Sequence, residues 1–194
     1  MLASRSFDGA LADAVLLDDV RGAHDATRAM LDEGHRRIAF LGNRVSVATG
    51  RRRFDGFEAA HRELGLEPAA DLVRLGQQDA DSAEQAMDDL LALADPPTAV
   101  FAANNRNSVG VIRSMNRRRT AARRDERELP SLRLFGFDSF EFADMSPIPL
   151  SIVDHDPSEL GRIAAGLLFD RLEGREQGAA PRLVELPVRL VDFS

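Results

Sequence analysis

The sequence predicts an α/β fold, a doubly wound and mostly parallel sheet with helices on both faces. Short apolar runs typical of strands alternate with segments of helical periodicity along the chain, which is the pattern of such sheets. Hydrophobic residues make up 44% of the 194 residues, enough to fill a buried core. Several apolar runs end in a glycine or a polar side chain, as strands do at a ligand-binding edge.

The strands are predicted from short apolar runs bounded by charges, glycine or proline. In chain order these runs occupy residues 14–17, 38–41, 72–75, 99–102, 132–137 and 183–190. Gly42 closes the second run, and Pro96 with Pro97 forces the loop before the fourth. Pro187 within the last run predicts an edge strand, because proline donates no hydrogen bond to a sheet.

The helices between these strands are predicted from apolar residues that repeat at helical spacing. They occupy residues 22–33, 49–64, 81–93, 107–116 and 158–172. Gly34 and Gly65 end the first two helices, where glycine commonly terminates a helix. Asp81 or Ser82 is expected to cap the third helix, and Ser158 the fifth.

Composition and charge argue against several classes of function. The net charge of -7 disfavours nucleic-acid binding by this segment, because phosphate contact requires a basic face. No apolar run reaches the ~18 residues of a membrane span, and no signal peptide is recognisable at the start. Cysteine is absent, which excludes disulfide and thiolate chemistry and fits a reduced cytoplasm.

An enzyme is the least favoured class. The sequence has no nucleophile elbow, phosphate loop, cysteine nucleophile or paired catalytic carboxylates. Its four histidines are scattered without metal-ligand spacing. We therefore predict no catalytic residue, no metal and no cofactor.

Polar side chains follow two of the predicted strands. Asn104 comes after the strand at 99–102, and Asp138 after the strand at 132–137. Because parallel strands end at one edge of a sheet, both side chains could grip the same small molecule. Asparagine donates and accepts, whereas an ionised aspartate only accepts, which suits sugar hydroxyls. Taken alone, either residue could instead be a helix cap or a turn residue.

These residues belong to a series of segments that resembles the LacI-type transcription regulators. In chain order the segments are Gly34-His35, Thr49 with residues 53–57, 97–104, 136–138, Leu160-Gly161 and 183–191. Their order and spacing together are specific, and they extend over nearly the whole chain. More narrowly, the chain resembles the effector-binding core of such a regulator.

The resemblance implies a periplasmic-binding-protein-like core of type I, with two subdomains and an effector in the cleft between them. In the family a helix-turn-helix and a hinge come before this core, so we expect an N-terminally truncated chain that holds largely one subdomain. Residues 1–17 would be a remnant of the first subdomain, and 18–152 the second. Residues 153–174 would be the crossover and a helix of the first subdomain, and 175–194 the closing strand of the second.

The resemblance also assigns ligand contacts. Arg53, Asn104 and Asp138 match positions that grip the effector in the family, and a guanidinium offers a planar fork of donors. Without the resemblance, Arg53 would be interpreted as an arginine on the surface of a helix. Thr49 is a weaker candidate that could simply cap its helix. His155 matches a position where the family often has a glutamine, and its alternative is an exposed loop histidine.

Departures from the family pattern leave the ligand class open. Gln78 aligns where many relatives have an aromatic residue that stacks on the effector. Asn105 and Ser139 replace aspartates of the pattern. The loss of the aromatic residue favours a polar ligand, with a planar base as the alternative.

Dimer contacts in the family come from the helix after Asn104 and the segment after Asp138. The candidates in this chain are Val111, Met115, Phe140 and Phe142. Apolar residues of this kind also pack cores, and we expect that role for about half of them.

The function implied by the resemblance is effector sensing in the cytoplasm. A small polar molecule, a sugar or a derivative, would bias subdomain closure and so control operator binding by a homodimer. DNA would be contacted only through the N-terminal domain that the family adds. The alternative is the sugar-binding protein of a transporter, which a signal peptide or lipobox cysteine would favour. Because the chain would hold one wall of the cleft, we expect weak or no effector binding by this chain alone. Apolar surface that the missing subdomain would normally cover is expected to drive self-association.

Overall fold

The computed structural model describes residues 1–4, 12–124, 131–175 and 178–193. Its strands are β1 (Leu2–Ala3), β2 (Ala14–Leu17), β3 (Ile38–Gly42), β4 (Val73–Leu75), β5 (Ala99–Ala102), β6 (Arg133–Phe137), β7 (Leu150–Asp154), β8 (Leu183–Leu186) and β9 (Arg189–Asp192). Its helices are α1 (Asp19–Asp32), α2 (Ala48–Glu63), α3 (Ala80–Leu91), α4 (Asn105–Arg124) and α5 (Pro157–Leu172). Short 3-10 turns lie at Ala70–Leu72 and Ala143–Met145.

Two sheets organise these elements. The larger sheet has the strand order β4-β3-β5-β6-β7-β9, and its neighbours are parallel except β7 and β9, which are antiparallel. Helices α1 and α2 pack on one face of it, and α3 and α4 on the other. The predicted doubly wound α/β fold is therefore confirmed. The smaller, parallel sheet has the order β1-β2-β8 and packs against α5.

Side-chain alternation explains why the strands of the larger sheet are apolar throughout. Ile38 and Phe40 of β3 point into the core beneath α1 and α2, whereas Ala39 and Leu41 point into the core beneath α3 and α4. A strand that is buried on both faces reads as a continuous apolar run, because successive side chains alternate between the faces. The ring of Phe40 also lies 5.0 Å from that of Phe54, which fixes α2 against the sheet.

Several helices begin earlier than the periodicity predicts. Asp79 caps α3, in place of Asp81 or Ser82, because its carboxylate accepts from the Ser82 amide at 2.8 Å. Asp156 caps α5 in place of Ser158, and accepts from the Ser158 amide at 2.9 Å. A cap accepts from an amide two or three residues further on, so the capping residue lies ahead of the first apolar position.

The predicted closing strand at 183–190 is two strands in the structure. Strand β8 pairs with β2 in the smaller sheet, and β9 pairs with β7 at the edge of the larger one. Pro187, which lacks an amide hydrogen, lies between them. The expectation that 175–194 forms one closing strand of the second subdomain is corrected accordingly. Strand β7 was not among the predicted strands, yet it completes the parallel part of the sheet.

A buried ion pair attaches α5 to the smaller sheet. Asp13 accepts two hydrogen bonds from the Arg171 guanidinium, at 2.8 and 3.0 Å, and one from the Arg182 amide at 2.7 Å. These donors hold the pKa of Asp13 well below its usual range. Residues 5–11, which precede this cluster and belong to the predicted remnant, lie outside the described residues.

The Asp13 cluster predicts acid sensitivity. A carboxylate whose pKa is lowered by folding stabilises the fold above its unfolded pKa of about 3.9, and loses that contribution as the pH falls through the folded value. Asp13→Asn is therefore expected to lower the free energy of unfolding by about 2 kcal/mol at pH 7, with a smaller difference below about pH 4. Urea unfolding between pH 3 and 8 measures this, with exposed Asp32→Asn as the control. A difference that is constant with pH would contradict the prediction.

Within the described residues, helix α5 has an exposed apolar face. Leu167 is buried, while Leu168, Phe169 and Leu172 are exposed. The expected self-association of the chain stays a prediction, and this face is the surface that would carry it.

Candidate functional site

A cavity of about 710 Å³ opens at the carboxyl ends of β3, β5 and β6, beside the end of β1. It is lined by Ala3, Ser4, Asn43, Ser46, Val47, Ala48, Thr49, Arg53, Asn104 and Asp138. Four of the residues singled out in the sequence therefore line one cavity: Thr49, Arg53, Asn104 and Asp138. They come from separate segments, and the parallel sheet brings them together because its strands end at one edge.

Arg53 is the most tightly held of these residues. It is 4% exposed, and its Nε donates to Asp19 Oδ1 at 2.8 Å. Its Nη1 donates to the Ala103 carbonyl at 2.7 Å and to Asp138 Oδ2 at 3.0 Å. The guanidinium also stacks on the Phe137 ring, 3.6 Å from the centroid. The alternative of an ordinary helix-surface arginine is wrong, because burial and these partners fix the side chain at the cavity wall.

Asp19 is the functional candidate that the sequence analysis missed. It is buried at the first position of α1, directly after Asp18, whose carboxylate caps the helix. Burial raises the pKa of Asp19, and the adjacent Arg53 guanidinium opposes that rise. Its other oxygen lies 3.6 Å from Arg52 Nε, and Arg52 is itself paired with Glu185 of β8. The sequence carried a signal for Asp19, because Asp18 and Asp19 follow the apolar run at 14–17. The same kind of signal identified Asn104.

Asp138 stands at the turn that follows β6. Its φ of 66° lies in the left-handed region, which aspartate adopts more readily than most residues, and its amide donates to the Val153 carbonyl at 3.0 Å. This conformation directs one carboxylate oxygen to Arg53. The other oxygen lies 3.7 Å from His155 Nδ1.

Asn104 both caps a helix and lines the cavity. Its Oδ1 accepts from the Asn107 amide at 2.9 Å, and its Nδ2 donates to Asn107 Oδ1 at 2.7 Å. One Nδ2 hydrogen and one Oδ1 lone pair remain for a ligand. Asn104 can therefore cap α4 and still contact a ligand.

Thr49 lies inside the first turn of α2, so its predicted capping role is wrong. Val47 occupies the cap position and makes no side-chain hydrogen bond. Within the described residues, the amides of Ala48 and Thr49 donate to no protein group, as is usual in a first helical turn. Since both residues line the cavity, the start of α2 adds donors to its wall.

His155 and Gln78 are not among the residues that line this cavity, although His155 Nδ1 lies 3.7 Å from Asp138, which does line it. His155 lines a smaller cavity of about 250 Å³ near β9, and within the described residues its Nδ1 has no hydrogen-bond partner. Gln78 is exposed, and the carbonyl of the preceding Gln77 accepts from Asn107 Nδ2 at 3.1 Å. A contact between Gln78 and an effector stays a prediction.

The apolar dimer candidates divide between core and surface. Val111 and Met115 are buried between α4 and the sheet, so the structure places them in the core rather than at an interface. Phe140 packs partly against the same core. Phe142 is 71% exposed and, like the neighbouring Met145, is available for contact. Helical periodicity shows that a face is apolar, but not whether a sheet or a partner covers it.

The residues that the structure describes hold neither a metal-binding cluster nor a membrane-spanning helix. They contain no group of three or more histidines, cysteines and carboxylates arranged to hold a metal ion. None of the helices described has the length and apolarity that crossing a bilayer requires.

A parallel sheet with a polar, arginine-centred cavity at its strand ends defines a small-molecule-binding α/β lobe. The sequence profile of the periplasmic binding protein-like domain matches residues 27–192, and the chain belongs to that family. Its relatives identify it further as the effector-binding core of a LacI-type regulator, which confirms the resemblance.

The curated relatives are repressors of transcription, not enzymes. The chain is 27% identical over 172 residues to the HTH-type transcriptional repressor CytR of Escherichia coli strain K12, covering 88% of this chain and 48% of that protein. It is 27% identical over 180 residues to the repressor PurR of Vibrio vulnificus, covering 93% and 52%. The chain thus spans about half the length of the curated relatives it matches.

Solved structures agree with this assignment. The transcriptional regulator CelR in complex with cellobiose superposes with a TM-score of 0.80 at 29% identity, covering 95% of this chain and 54% of that one. A LacI family regulator from Enterococcus faecium with bound ribose gives 0.78 at 26% identity, covering 100% and 68%.

Proposed function

We propose that the cavity binds a small polar effector, a sugar or a sugar derivative, and that binding controls a DNA-binding regulator. The observation that carries the proposal is the convergence of donors and acceptors around one cavity. Arg53 and the start of α2 offer donors, Asp138 offers acceptors, and Asn104 offers both. A sugar hydroxyl both donates and accepts, so a polyol satisfies such a wall. The cellobiose and ribose bound to relatives support the same class of ligand.

The two sheets suggest how an effector would act. We propose that the smaller sheet and α5 belong to the first subdomain, and the larger sheet to the second. Within the described residues, three connections join them, from β2 to α1, from β7 to α5 and from β8 to β9. An effector held between the subdomains would bias their closure about these connections. In the full-length protein, closure would change how a homodimer presents its DNA-reading helices.

A cytoplasmic regulator is better supported than a transporter's sugar-binding protein, since the curated relatives described above are repressors. Phe142 and Met145 are the exposed apolar residues that we propose for the dimer contact. Reading the genomic sequence upstream of Met1 in the same frame tests this choice. A helix-turn-helix and a hinge would support the regulator, whereas a signal peptide would support the transporter protein.

Ligand binding is tested by neutralising the carboxylate that lines the cavity. Asp138→Asn replaces a charged acceptor by a neutral one, and we expect affinity for the best neutral sugar to fall by about 10- to 100-fold. An NMR titration with D-ribose and cellobiose, which detects weak binding, measures this. Asp144→Asn changes the same charge on an exposed turn outside the cavity and is the matched control. Equal affinities of the two variants would contradict the assignment of Asp138.

A further inference from the structure

The buried guanidinium at the cavity wall is already neutralised by the protein. Of the five N–H groups of Arg53, the one on Nε binds Asp19 and the two on Nη1 bind the Ala103 carbonyl and Asp138. Among the described residues, no group accepts from Nη2. A ligand therefore meets the two hydrogens of Nη2, attached to a cation that already has two carboxylate partners.

The charges close to Arg53 sum to a negative value. Arg53 contributes one positive charge, and Asp19 and Asp138 contribute one negative charge each. Arg52 is close to Asp19, but its positive charge is balanced by its own ion pair with Glu185. The start of α2 adds about half a positive charge through its free amides. Within the described cavity lining, Arg53 and Asp138 are the charged side chains. His155 lies 3.7 Å from Asp138 and offsets this balance only when it is protonated.

We propose that Asp19 is a specificity-determining residue, which cancels the charge of Arg53 so that the cavity accepts uncharged polyhydroxylated ligands and rejects anionic ones. The inference rests on the proposed function and narrows its ligand class. Asp19 does not line the cavity and acts through Arg53, so it positions and neutralises the contact residue. Sugar phosphates and sugar acids then fall outside the ligand class, although their hydroxyls match those of neutral sugars.

The two carboxylates have different parts in this selection. Asp138 faces the cavity, so a hydroxyl hydrogen can bind it while the hydroxyl oxygen accepts from Arg53 Nη2. A phosphate monoester oxygen has no hydrogen to donate when ionised, and it meets Asp138 as a like charge. Asp19 removes the attraction that an unpaired guanidinium would otherwise offer to such an anion.

The test uses inorganic phosphate as the anionic probe, because it requires no knowledge of the effector. Amide resonances of Thr49 and Asn104, which line the cavity, are followed by NMR at constant ionic strength. We expect no saturable shift in the wild-type protein up to about 50 mM phosphate, and at least about tenfold tighter binding in Asp19→Asn. Asp18→Asn removes the same charge one residue away while keeping a good helix cap, and is expected to behave like wild type.

Asp19→Asn is expected to fold, because asparagine keeps an oxygen for Arg53 Nε and Arg53 retains Asp138 and Ala103. Asp19→Ser is the second variant, with the same expected gain in phosphate affinity. Saturable phosphate binding by the wild-type cavity overturns the proposal, and so does a failure of both variants to bind phosphate more tightly. If the phosphate results hold but no neutral sugar binds, the proposed function fails. If D-ribose and phosphate both bind the wild type, the charge inference fails and the proposed function stands.

Discussion

Replacing Arg53 by methionine is expected to lower the free energy of unfolding by about 3–5 kcal/mol, because Asp19 then loses its hydrogen-bonded cation inside the protein. Arg52 does not replace it, since its Nε lies 3.6 Å away and makes no hydrogen bond within the described structure. The same substitution is expected to remove effector binding, because the Nη2 donor is lost. Urea unfolding at pH 7 measures the first effect, and a sugar titration measures the second.

Arg51→Met is the matched control for this prediction. Arg51 stands two positions earlier on α2, is exposed, and donates only to the Val45 carbonyl in the described structure. Its replacement is expected to change stability by less than about 0.5 kcal/mol. The double variant with Asp19→Asn should recover part of the loss, because the buried charge is removed with its partner. Equal stabilities of the Arg51 and Arg53 variants would contradict the buried ion pair.

Gly56→Ala is expected to destabilise the fold by about 3 kcal/mol, although alanine favours helices. A β-carbon at Gly56 would lie 2.2 Å from the Val20 carbonyl oxygen and 3.0 Å from the Ala23 side chain. The clash is with the backbone of α1, so the two helices must separate. Since α1 holds Asp19 and α2 holds Arg53, separation would also disturb the cavity.

Gly166→Ala provides the control with the opposite sign. Gly166 is also a helical glycine, but an added β-carbon meets nothing within 4 Å. Its replacement is expected to stabilise the protein by about 0.5–1 kcal/mol through helix propensity. Thermal unfolding of both variants measures the difference, and stabilisation by both would show that α1 and α2 are not packed this closely.

The sequence predicted which residues lie near the site better than it predicted their partners. Arg53, Asn104 and Asp138 were identified from strand ends and from the family resemblance, and all three line the cavity. Gln78 was assigned to the site by alignment alone, and it is exposed and not among the residues that line the cavity. Alignment gives a position along the chain, whereas the direction of a loop side chain depends on the contacts that hold the loop.

Apolar patterns located helices and strands, but they did not show what packs against them. The periodicity of α4 predicted an apolar face containing Val111 and Met115, and that face is covered by the sheet. The continuous run at 183–190 satisfied the criteria for one strand, but its halves pair with different sheets. Which surface covers an apolar stretch depends on distant parts of the chain, and local periodicity carries no information about them.

The sequence by itself determined the α/β class, the succession of the helices and of most strands, and the polar residues that follow the strands, because these depend on short-range periodicity and turn chemistry. Only the tertiary structure decided that Asp19 forms a buried ion pair with Arg53, 34 residues further along the chain. It also decided that Asp138, which is 85 residues from Arg53 in the sequence, accepts a hydrogen bond from the same guanidinium. Such pairs form where packed elements meet, so their charges and burial are properties of the folded chain rather than of any local segment.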